Sequence, residues 1–138
     1  MSIAALIVTV SLGIQGGMAS MRTIDRGTHS NVDDARTVAV RSPDEWAKVW
    51  RAHAADKPPP AVDFSKEMVV GVFLGARPTA GYGVEIVGMR EESGALVVQY
   101  RVASPDRDMM TAQVITMPYH LVAIPTRAGE VRFQEVKS

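Results

Sequence analysis

Hydrophobic and polar positions follow two different periods in this chain, and each period predicts an element. Trp46, Val49, Trp50 and His53 recur at i, i+3, i+4 and i+7, a single stripe on one helical face. Ser42-Pro43-Asp44-Glu45 stands just before the stripe. A serine there can cap, proline suits the first helical position, and a glutamate three residues after the cap completes a capping box. The spacing predicts a helix ending near Ala55, ahead of Asp56-Lys57 and Pro58-Pro59-Pro60. Three prolines cannot prolong a helix and run extended.

The remaining signals have a period of two or none. Thr37–Val40 alternates as a short strand, whereas Met68–Leu74 is almost wholly apolar, the mark of a central strand covered on both faces. Tyr82–Arg90 and Leu96–Val102 read as two strands around the polar turn Glu91-Glu92-Ser93-Gly94. Ser104–Asp108 breaks the pattern. Ala112–Thr116, Tyr119–Ile124 and Val131–Val136 read as further strands, while Met21–Val32 is polar and mixed. Connections this short predict an antiparallel meander. The expected fold is α+β: one mostly antiparallel sheet, curled or folded into a sandwich-like body, with one amphipathic helix near the N-terminus.

Residues 1–19 differ from the rest. Ile3–Ile14 carries no charge and is followed by Gly16-Gly17-Met18-Ala19. A twelve-residue run makes a helix of roughly 18 Å, short of a bilayer core of about 30 Å. It fits the apolar region of a secretory signal. Residues 20–138 are then expected as a single domain, periplasmic or extracellular, with no integral membrane segment after signal removal.

Composition narrows the chemistry. The formal net charge is zero, so no basic field exists to hold nucleic acid. Cysteine is absent, which excludes disulfides, thiol catalysis and thiolate metal sites. The three histidines, His29, His53 and His120, stand in no nucleophile motif, and no Gly-x-Ser-x-Gly elbow occurs. His53 is expected to be partly buried at the end of the stripe, and His120 to be a buried, hydrogen-bonded imidazole. The acid pairs Asp33-Asp34 and Asp106-x-Asp108 lack the order of a calcium loop. No catalytic residue, metal or cofactor is expected, and the chain reads as a binding domain with no enzymatic activity.

The candidate contact site is the turn Arg77-Pro78-Thr79-Ala80-Gly81-Tyr82-Gly83. Gly81 and Gly83 are expected to take positive φ, Pro78 to stiffen the entry, and Tyr82 to stand in solvent. Met109-Met110 is a second candidate, because paired methionines make adaptable contact surfaces. Pro118 and Tyr119 are a third, since tyrosine is favoured at interfaces.

Val62–Val70, Leu74-Gly75, the Pro78–Tyr82 turn and Thr116–Pro125 together resemble the C-terminal domain of PrcB, an accessory subunit of a bacterial surface protease complex. Ser42–Trp50 also looks like the short helix that precedes this domain, so the resemblance covers roughly Gly27 to Val136, with its core over 62–136. It implies an exported, non-catalytic domain that binds or stabilises a partner protease. Ala80 departs from that pattern, where a second glycine or a polar residue is expected. Pro78-Thr79-Ala80-Gly81-Tyr82 is also similar to a loop that chagasin-type inhibitors insert into cysteine-protease clefts. Arg77 replaces their leading Asn, and their Arg-Pro-Trp element has no counterpart. The alternative this implies is a stand-alone protease inhibitor using the 77–83 loop.

Overall fold

A helix and two sheets stack as three layers in the computed structural model, which describes residues 21–137. The expected signal segment lies outside the described residues. In chain order the elements are β1 (Arg22–Gly27), β2 (Arg36–Val40), α1 (Pro43–Ala54), β3 (Glu67–Phe73), β4 (Gly83–Glu92), β5 (Ala95–Ala103), β6 (Tyr119–Pro125) and β7 (Val131–Val136). The first sheet has the order β1-β6-β3-β2 and is antiparallel throughout. The second has the order β4-β5-β7. No helix among the described residues is long and apolar enough to cross a membrane.

The first sheet is the middle layer. β3 is central in it and buried on both faces, as its unbroken apolar run predicts. Met68, Val70, Val72 and Leu74 face the second sheet, where they meet Val84, Ile86, Leu96 and Val98, joined by Val122 and Ile124 of β6. Val69, Phe73, Tyr119 and Leu121 face the other way, against Trp46, Trp50 and Ala54 of α1. Burying each large apolar side chain contributes roughly 1.5–3 kcal/mol. Gly71 leaves no room for a side chain: a Cβ there would stand 2.4 Å from Leu121 Cδ2.

The helix begins as its sequence predicts. Ser42 Oγ accepts the Glu45 amide at 3.2 Å, and Glu45 Oε1 accepts the Arg41 amide at 3.0 Å. The proline run then folds back along the helix. Trp46 Nε1 donates to the Pro60 carbonyl at 3.0 Å and Trp50 Nε1 to the Lys57 carbonyl at 2.9 Å. Both indoles are thereby buried without an orphaned N–H.

Three expectations are corrected. Met21–Val32, read as irregular, contributes β1, which pairs with β6 through a bulge between Thr23 and Asp25. β7 is parallel to β5, so the chain is no simple meander. β6 crosses to the first sheet, and β7 returns beside β5 in the same direction. Finally, Ala112–Thr116 is no strand: among these residues only Thr116 forms a bridge, to Arg77.

Candidate functional site

Two loops meet at one end of the second sheet. The 77–83 turn leads into β4, and the 104–118 segment connects β5 to β6. Arg77 and Thr116 exchange backbone hydrogen bonds at 2.7 and 2.9 Å. The Ala80 amide donates to the Ala112 carbonyl at 3.1 Å, and Thr116 Oγ1 donates to the Thr79 carbonyl at 2.9 Å. Gly81 has φ +96°, and a Cβ there would lie 2.9 Å from Pro105. Glycine is thus required twice at one position, by conformation and by contact. The turn and the Met109-Met110 loop, separate candidates in the sequence, form one platform. Its backbone bonds run to a turn, not along a ladder, which is why 112–116 has strand-like residues without being a strand.

Exposure across the platform is uneven. Pro78 and Gly81 are exposed, whereas Arg77, Thr79, Ala80, Tyr82 and Gly83 are half-buried. Tyr82 is therefore less free than expected: the Arg77 guanidinium carbon lies 5.9 Å from its ring centroid. Gly83 has no positive φ and simply opens β4. Met109, Met110, Val114 and Ile115 are 52, 98, 45 and 63% exposed, and these four are the large apolar residues that face solvent among the described residues. They fall within seven positions of one loop. Sequence reasoning found the methionines and missed Val114 and Ile115, because reading 112–116 as a strand assigned them to a sheet.

Pro118 and Tyr119 do not join this surface. Both are buried. The Tyr119 ring lies 4.2 Å, centroid to centroid, from His53 and packs over Gly27. Burial, followed by the hydrogen bond it donates to Asp25, raises the Tyr119 pKa. A tyrosine at the start of a strand covered by α1 has its ring in the core, so Tyr119 offers no contact surface here.

Beside Tyr119 lies a constellation invisible in the sequence. His53 Nδ1 is 2.7 Å from Ser30 Oγ, and His53 Nε2 is 3.0 Å from Asp25 Oδ2. Ser30 Oγ also accepts the Val32 amide at 3.0 Å. An imidazole protonated at Nε2 satisfies every contact: it donates to Asp25 and accepts the Ser30 hydroxyl proton. Ser30 and His53 are each 2% exposed, so the hydroxyl has no face open to a substrate. The group ties β1, the 28–32 loop and the end of α1 together. His53 is more deeply buried than its place on the stripe suggests.

His120 is the buried, hydrogen-bonded imidazole expected. Its Nδ1 accepts the Ile86 amide at 2.9 Å, which places the proton on Nε2, 2.9 Å from Thr23 Oγ1. Bulges in β1 and β4 fall beside these two partners. Burial, assisted by Arg26 and opposed by Glu85, lowers the His120 pKa to about 4. One neutral side chain thus joins the two sheets. No cluster of three or more metal-ligating side chains occurs among the described residues.

Residues 68–125 match the PrcB C-terminal family. The match takes in β3, both loops of the platform, β4, β5 and β6, and is narrower than the 62–136 stretch that carries the resemblance in sequence. The PrcB C-terminal match excludes β1, β2, α1 and β7, and with them the His53–Ser30–Asp25 group. Comparison with curated proteins and with solved structures finds no match.

Proposed function

We propose that this protein is an exported, non-catalytic interaction domain that binds or stabilises a partner protease through the joined 77–83 and 104–116 loops. One observation carries the reading. The solvent-facing large apolar side chains of the described residues all lie on a loop hydrogen-bonded to the 77–83 turn, inside the stretch that matches the PrcB C-terminal family. Four apolar side chains gathered on one exposed loop are characteristic of a contact surface. Methionine supplies adaptable packing there, and the anchored turn limits the entropy lost on binding.

Affinity purification of the tagged protein from its native host tests the proposal. The expected result is a protease or protease-complex subunit recovered with the wild type and depleted at least tenfold with the Met110→Ser, Ile115→Ser double variant. Equal recovery with both would overturn the assignment of this face. Titration of papain-like and serine proteases with the pure protein separates accessory binding from inhibition by the 77–83 loop, and Tyr82→Ala weakens either one.

A further inference from the structure

Among the described residues the two sheets have four edge strands: β1 and β2 in the first, β4 and β7 in the second. They are not equivalent. β1 and β4 each carry a bulge, between Thr23 and Asp25 and between Ile86 and Gly88. A bulge twists an edge and blocks pairing with another strand. β2 and β7 keep unbroken registers with their neighbours. Both regular edges contribute to one open cleft of about 450 Å³, lined in part by Arg36 and Thr37 of β2, Leu74, Arg77, Tyr100 of β5 and Glu135 of β7.

The sheets are tied together at one end of β2, and the cleft lies at the other. Past the end of β2, the Arg41 guanidinium donates to the Arg127 and Gly129 carbonyls just ahead of β7 and holds the sheets together. At the start of β2 the first two residues are exposed, and the cleft reaches down to Val72, Phe73 and Leu74. Charge at this mouth is polarised. Arg36 Nε and Nη2 already donate to Asp34. Arg77 forms no salt bridge among the described residues, and its guanidinium lies over the Tyr82 ring at 5.9 Å. Glu135 stands on the β7 wall.

We propose that β2 is a strand-addition site for an extended peptide segment of a protein partner. The peptide pairs its backbone with the outer edge of β2, lowers an apolar side chain over Leu74 and Tyr100, and sets a carboxylate against Arg77. Backbone pairing supplies affinity in this mode, and the alternate side chains supply specificity. Glu135 disfavours an acid at the β7 wall, so the acidic residue belongs at the Arg77 end. The site shares Arg77 with the 77–83 turn but none of the exposed methionine loop, and it does not rest on the protease reading.

Fluorescence polarisation with labelled octapeptides of alternating Thr and Val, ending in Glu at either terminus, tests this. One orientation is expected to bind saturably. A proline at its centre should weaken binding more than tenfold, because it removes a ladder donor. Changing its Glu to Gln should weaken it several-fold, and that loss should disappear in the Arg77→Gln protein. In amide NMR spectra the largest shifts should fall on residues 36–40. Met110→Ser, Ile115→Ser should leave the affinity unchanged, which separates this site from the loop face. The proposal is overturned if no peptide binds at millimolar concentration, if the proline peptide binds equally well, or if the largest shifts map to β7 or to residues 109–115.

Discussion

The helix-covered face of the first sheet and the loop platform beside the second sheet solve opposite problems. On the helix face the large apolar groups are buried or half-buried, and among the described residues every buried polar side-chain atom has a partner. Two indoles donate to the carbonyls of the folded-back proline segment, and one imidazole is held by a serine and an aspartate. On the platform the backbone is well bonded, yet four large apolar side chains face water. A face that seals its indoles is built for stability. The loop whose backbone is fixed while its apolar side chains stay exposed is the face proposed for contact.

The sharpest way to break the contrast is to damage the sealed face. Trp50→Ala empties a buried site and orphans the Lys57 carbonyl, at an expected cost of about 3–5 kcal/mol, read from urea unfolding. A loss below about 1 kcal/mol would deny that this face carries the stability. Gly75→Ala is next. Gly75 has φ +79°, and a Cβ would stand 2.7 Å from the Ala35 amide nitrogen. The expected loss is about 2–3 kcal/mol in the same assay.

The pH dependence sharpens the comparison further. The folded-state pKa of His120, about 4, lies below its ordinary 6.5. The unfolded chain therefore binds the extra proton first as pH falls. The contribution is complete above 6.5 and is lost as pH drops toward about 4, a swing on the order of 3 kcal/mol. Urea midpoints measured from neutral pH downward should fall through that window, and His120→Gln should flatten the slope. On the platform, Gly81→Ala should cost about 1–2 kcal/mol and speed hydrogen exchange at the Ala80 amide. The smallest effect belongs to Met110→Ser. Stability should change by less than about 0.5 kcal/mol, because the side chain is 98% exposed.

Local patterns carried much of this fold. The capped helix, the doubly covered β3 and the β4–β5 hairpin follow from signals within a dozen residues. The platform was half legible. Gly81 and the methionines stand out by residue type, but Val114 and Ile115 have side chains that suit a strand equally well. β1 was not legible, because it is an edge strand whose pairing is imposed by β6. Tyr119 was misjudged for a related reason. A tyrosine next to a proline has the same sequence signature whether its ring faces a helix or water, and only α1 decides.

The chain by itself determined where backbone turns, caps and apolar runs fall, since those depend on near neighbours and on steric limits that each residue carries with it. Tertiary structure alone decided which sheet β6 joins, the parallel return of β7, and the meeting of Ser30, His53 and Asp25. It also decided the docking of the 77–83 turn on the 104–116 loop. These depend on contacts between residues far apart in the chain. Many pairings of similar local strength compete for such contacts, and burial of the whole core selects among them.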